Sequence, residues 1–300
     1  MGFRNVISDG SANPPRCRLQ INLTSMGRLP RDGAEWTLPQ RLDELINAGF
    51  GGIEAFVQTA LEGEELAALV HERNLPLGLC AVAADGDELL PPIELAHRMR
   101  SEYLSVRVPG SLHASPEITE ILKDMYGLAN DAGLPLFIQT HRGSVMQDLR
   151  RTIKVLGRCK KLRLSADFSQ YVLAAQLTGP WPDEIWEAFE EIAGRASGFA
   201  GRISYGNQIQ DDIGAGEGEL AQQYKKVWTA GFSRWVEKST PGDVLPFTVN
   251  LAPPDGGAES FDRWAASLAI KRIAEEAWLA AQAVEASETT PTETAVGANG

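Results

Sequence analysis

No stretch of the 300-residue chain approaches eighteen consecutive apolar residues, so nothing in it reads as a membrane-spanning helix. The opening residues, "MGFRNVISDGSANPPR", lack the apolar core of a secretory leader, and a cytoplasmic location is the expectation. Cysteine is scarce. Cys17, Cys80 and Cys159 lie far apart with no C-x-x-C pair, which excludes a zinc ligand set and an even disulfide framework and leaves reduced packing residues. Positive charge is also short, 28 Lys and Arg against 40 Asp and Glu, a net charge of -12. So acidic a chain repels phosphate backbones and anionic lipid, and neither nucleic acid nor a membrane is an expected partner. A glycine-rich phosphate turn is missing after the first strand. The run "GAGEGE" at 214–219 lacks G-x-G-x-x-G spacing and contains two glutamates, so it reads as a loop leading into a helix.

What is present is an ordinary globular composition, 43% hydrophobic and 23% charged, arranged as one repeated pattern. Short apolar or β-branched runs fall at 18–25, 51–57, 75–83, 103–110, 134–141, 162–169, 201–207 and 246–253, each bounded by Gly, Pro or polar residues. Helical patterns lie between them. "SPEITEILKDMYGLANDAGL" shows the expected asymmetry: Ser115 as a cap, Pro116 in the first turn and Gly133 as terminator. "DELLPPIELAHRM" is weakened by Pro91 and Pro92. Eight strands alternating with helices imply right-handed crossovers and a parallel sheet, and the even repeat favours closure into a single (β/α)8 TIM barrel over an open doubly wound sheet. The expected boundaries are a flexible segment at 1–16, the barrel at 17–282 and a disordered tail rich in Glu, Thr and Ser at 283–300.

In such a barrel the active site lies at the C-terminal ends of the strands. The polar residues there are Asn22, Glu54, Arg107, Gln139, His141, Arg142, Asp167, Gln170, Tyr205 and Asn250, with nothing ionisable on the third strand. Imidazole titrates near neutral pH, so His141 is the candidate general acid or base, with Asp167 one strand away as its partner and Glu54 as a further carboxylate. The amides Gln139, Asn250, Gln170 and Asn22 cannot move protons, yet they suit a neutral polar ligand. Arg142 and Arg107 would steady developing negative charge. Tyr205 offers a phenol, and Trp181, in a Gly-Pro-Trp-Pro turn after the sixth strand, is a candidate lid over the substrate. The bland alternatives are a structural ion pair of Asp167 with Arg142 or Arg202, a salt bridge from Glu54 to Arg107, and core packing of Trp181 and the other helical tryptophans. Exposed tryptophans on helices would favour a homodimer.

"GFGGIEAF" after the first helix, "THRG" followed by "QDLRRTIKVL", "LRLSADFSQYV" and "FTVNLAPP" together resemble the xylose-isomerase-like β/α barrels between about Leu19 and Leu279. The resemblance implies sugar isomerase, epimerase, lyase or endonuclease chemistry. It also implies a divalent metal held by a glutamate on strand five, an aspartate on strand six, a histidine on strand seven and a glutamate on strand eight. Carried over residue by residue, those positions hold Gln139, Asp167, Ala200 and Asn250, and Gln170 replaces a histidine that commonly follows the aspartate. Only Asp167 is an anionic ligand, whereas Mn2+, Mg2+ or Zn2+ needs anionic oxygens and imidazoles. No cofactor is therefore expected. The reading is a metal-independent isomerase, epimerase or lyase acting by proton transfer on a small polar carbonyl- or hydroxyl-bearing molecule, with a dehydration, cyclisation or rearrangement in a specialised biosynthetic pathway as a variant of it. Two alternatives stand beside it: a non-catalytic ligand-binding barrel, and a metal-dependent sugar isomerase with unusual ligands.

Overall fold

A computed structural model describes residues 3–30, 32–253 and 260–289. Its strands are β1 (Ile7–Ser8), β2 (Arg16–Asn22), β3 (Ile53–Phe56), β4 (Leu77–Val82), β5 (Leu104–Arg107), β6 (Leu136–Gln139), β7 (Arg163–Ala166), β8 (Ala196–Gly201) and β9 (Asp243–Val249). The helices are α1 (Leu38–Asn47), α2 (Ala60–Glu72), α3 (Gly86–Arg98), α4 (Ser115–Asp131), α5 (Leu149–Arg158), α6 (Phe168–Ala174), α7 (Asp183–Ala193), α8 (Glu219–Val236) and α9 (Arg263–Thr289). Strands β2 to β9 pair in parallel in chain order, and β9 pairs with both β8 and β2, which closes an eight-stranded barrel. The expected (β/α)8 TIM barrel is what the chain forms. No helix among the described residues is long and apolar enough to cross a membrane.

Strand alternation sorts side chains onto two surfaces. On β2, Ile21 joins the apolar layer under the helices while Gln20 and Asn22 meet Thr248 and Glu54 on the neighbouring strands inside the barrel. On β9, Phe247 packs against Trp228 and Phe232 of α8, whereas Thr248 accepts from Gln20. The interior of this barrel is therefore unusually polar, and its groups avoid the cost of burial by bonding one another.

Four local expectations are corrected. The seventh barrel strand is "ASGFAG", 196–201, and not 201–207. Small residues hide it from a β-branched pattern, and the reason for them is steric: a Cβ on Gly201 would run into the Phe247 ring and Ile270. The stretch 162–169 is not all strand, because Asp167 caps α6 by accepting from the Ser169 amide. The segment before Arg16 is anchored: β1 pairs antiparallel with β9, and the buried Asn5 amide exchanges two hydrogen bonds with Leu136. Helix α9 continues to Thr289, past the expected start of the tail, and the rest of that tail, 290–300, lies outside the described residues. Pro91 and Pro92 are carried inside α3 without ending it.

Candidate active site

One polar cluster lies inside the barrel and a second at the C-terminal ends of the strands. The first is centred on Glu54, the buried carboxylate of β3. Asn22 Nδ2 donates to Glu54 Oε1 at 3.3 Å, and the Tyr103 hydroxyl, just before β5, donates to Oε2 at 2.9 Å. Gln20 Nε2 donates to that hydroxyl and to Thr248 Oγ1 at 2.9 Å. The Cys80 thiol lies beside the carboxylate, so the strand expected to offer nothing ionisable supplies a partner. Among the described residues Glu54 has no salt bridge, so the alternative of a pair with Arg107 does not form. Burial pushes the Glu54 carboxyl above its usual value, against the donors Cys80, Tyr103 and Asn22.

Gln139 ties this cluster to the sixth strand. Its Nε2 donates to Ser105 Oγ at 3.1 Å and to Cys80 Sγ at 3.6 Å. Two residues on, His141 is half-buried, and its Nδ1 faces the Arg142 carbonyl oxygen. A nitrogen facing a carbonyl must carry the proton, which leaves the Nε2 lone pair as the basic position. Burial holds the imidazole below its usual value and Arg107 and Arg202 push the same way, while the Arg142 carbonyl and Asp167 oppose.

The second cluster surrounds Asp167. Its Oδ1 accepts from the Ser169 amide at 3.0 Å and from the Ser169 hydroxyl, and its Oδ2 accepts from Gln170 Nε2 at 3.4 Å. Arg202 Nε, on the loop after β8, lies 3.7 Å from Oδ2 and donates to the Asn250 carbonyl at 2.7 Å. Gln170 Oε1 in turn accepts from the Arg142 backbone amide and Nε at 3.2 and 3.3 Å. The expected hydrogen bond from His141 to Asp167 is absent among the described residues, because the carboxylate is taken up by its own helix and by Arg202.

Not every expected residue reaches this mouth. Trp181 is buried against Trp186, Phe189 and Tyr224 in the layer of α7 and α8, so it packs the shell instead of lidding a substrate. Tyr205 is exposed, held by its backbone amide to Asp211. Asn250 enters through its carbonyl. Arg202 is a mouth residue that sequence reading treated only as a structural partner. Its signal is alternation: on the corrected strand it follows Gly198 and Ala200 along one face.

The residues do not fit a divalent metal. Asp167 is the one carboxylate among Gln139, Asp167, Ala200 and Asn250, its two oxygens are engaged, and a guanidinium stands beside it where a cation would be repelled. Among the described residues no three His, Cys, Asp or Glu side chains group to hold an ion.

No family model matches the chain, and no curated protein matches it. Solved structures do. The probable 3-DHS dehydratase AsbF of Bacillus anthracis, involved in petrobactin synthesis, superposes with a TM-score of 0.55 at 11% identity over 86% of this chain and 97% of that one. A xylose isomerase-like TIM barrel protein of Mycobacterium smegmatis, in complex with magnesium, gives 0.54 at 12% identity over 90% and 98%. An AP endonuclease, family 2, of Brucella melitensis gives 0.54 at 15% identity over 83% and 98%. With these neighbours matched along nearly their full length, the chain has the fold of the xylose-isomerase-like β/α barrels.

Proposed function

We propose that the barrel mouth catalyses a metal-independent proton transfer on a small polar molecule bearing a carbonyl or hydroxyl group, as an isomerase, epimerase or dehydrating lyase. The carrying observation is a carboxyl buried without a cation, linked through Cys80 and Gln139 to the strand that presents His141. Burial raises the Glu54 carboxyl and lowers the His141 imidazole, so the proton affinities of the two groups are drawn toward each other. His141 Nε2 takes a proton from the carbon next to the carbonyl. Glu54, whose carboxyl burial raises above its usual value, returns one, and the charge that develops on oxygen meets Arg107 and Arg202. The amides Gln139 and Asn22 orient hydroxyl groups. Proteins described as a probable dehydratase and as an endonuclease share this fold, so the scaffold leaves the reaction open and the residues carry the reading.

The test is solvent exchange. Incubation in D2O with a panel of sugars, sugar acids and aromatic keto compounds, followed by NMR, is expected to show deuterium entering at the carbon next to the carbonyl. His141→Asn should slow that exchange by about 100-fold or more. The saturated hydrogen bonding of Asp167 favours a second reading, a ligand-binding barrel without chemistry. A compound that raises the melting temperature yet exchanges no proton would establish that reading and end the first.

A further inference from the structure

A cavity of about 540 Å3 opens at the other end of the barrel, where β7, β8 and β9 begin. Lys160, Lys161, Arg163, Arg195 and Lys238 line it, and among the described residues none of the five has a carboxylate within 4.0 Å. Two further cations at its edge are already matched: Arg4 pairs with Asp243 at 2.6 Å, and Arg234 lies 4.0 Å from Glu190. For a chain of net charge -12, unpaired positive charge gathered in one concavity runs against the average surface.

The two arginines are placed by carbonyls. Arg195 donates to the carbonyls of Leu156, Cys159, Lys160 and Leu162, and Arg163 donates to those of Lys160 and Leu162. This bonding fixes the turn between α5 and β7 and presents Lys160 and Lys161 at the rim. Burial lowers the pKa of both guanidinium groups, and Arg163 adds to the effect at Arg195. Carbonyl oxygens hold both guanidinium groups in place without neutralising them, and an anion in the cavity would supply the opposite charge. One wall is aromatic: Phe3 and Tyr126 meet edge to face at 6.2 Å, with Lys161 Nζ 5.9 Å from the Tyr126 ring.

We infer that this cavity is a second ligand site, separate from the mouth, for a phosphorylated small molecule whose anionic group sits among Lys160, Lys161 and Lys238. Five unpaired cations exceed what one carboxylate requires, and lysines serve phosphate as movable point charges. The aromatic wall would take an apolar or ring portion of the ligand. The cavity lies at the strand starts and is lined by the N-terminal segment, the turn before β7 and the end of α8, so a ligand there does not touch the residues assigned to proton transfer.

Isothermal titration with inorganic pyrophosphate, and separately with a nucleoside diphosphate, tests the assignment. One saturable site is expected. Lys160→Ala with Lys161→Ala, and separately Lys238→Ala, should each weaken binding at least tenfold, whereas Lys225→Ala, whose ammonium pairs with Glu276 at 2.7 Å, should not. Absence of binding at millimolar pyrophosphate, or equal binding by all variants, overturns the proposal. So does a wild-type dimer that the double variant converts to monomer with no pyrophosphate bound, since the cations would then serve a second acidic copy of the chain. Should a variant fail to fold, protection of Lys160 and Lys161 from chemical acetylation by pyrophosphate in the wild type decides the matter: protection supports the site and unchanged labelling refutes it.

Discussion

Glu54 is surrounded by a thiol, a phenol and an amide, neutral groups that hydrogen-bond a carboxylate without cancelling its charge. A carboxyl whose folded pKa lies above the unfolded value favours the fold while both states are protonated and costs stability as pH rises through the folded value. Glu54→Gln removes that cost, so the difference in melting temperature between variant and wild type should grow in favour of the variant from pH 4 to pH 8. A difference independent of pH would show that the carboxyl is not shifted. His141 works the other way. Its folded pKa is depressed, so the unfolded chain binds the proton more readily and stability from this group falls as pH drops below the usual histidine value. At Asp167, removing the facing cation by Arg202→Ala leaves a buried carboxylate with weaker compensation. A loss on the order of 3–5 kcal/mol in denaturant unfolding is expected. His141 and Asp167 were legible as residues just past strand ends, Glu54 proves to be the second residue of β3, and the partner of each was not legible. Reach across the mouth depends on side-chain direction, and the chosen partner of His141 turned out to be engaged elsewhere.

Strand β8 shows why some elements escape a reading by pattern. "ASGFAG" has no β-branched residue, and at Gly201 the reason is lack of room, since a Cβ there would run into the Phe247 ring. The strand is made by its surroundings. Tyr103 depends on a similar vacancy, since a Cβ on Gly78 of β4 would fall on its ring. Gly78→Ala is therefore expected to displace the Tyr103 hydroxyl from Glu54, and overpacking of this kind costs about 1–3 kcal/mol. If the network serves catalysis, proton exchange falls in this variant by more than the loss of folded protein explains. Trp181 belongs to the packing between α7 and α8. Trp181→Ala should lower stability by about 3–5 kcal/mol and leave ligand affinity of the remaining folded protein unchanged. Helices were easier to read than strands, since the 3.6-residue period is written locally, although Ser115 opens α4 as its first residue and Ala114 takes the cap position. Helix α6 was missed because its seven residues continue an apolar strand without a break.

Closure ties the chain ends into the barrel. Asn5 holds the start of β6 through bonds of 2.8 and 2.7 Å to Leu136, 131 positions away. Asn5→Ala should cost about 1–3 kcal/mol, read as a lower denaturation midpoint, because two backbone groups lose their partner. The barrel architecture, the eight β/α units and the list of polar strand ends follow from the order of residues alone, since periodicity, caps and turn residues are properties of neighbours in the chain. That Glu54 lacks a cation, that Arg202 stands at Asp167 and that basic residues gather under β7 and β8 came only with folding. Those relations join residues such as Gln20 and Thr248, 228 positions apart, and depend on the register and tilt with which the sheet closes.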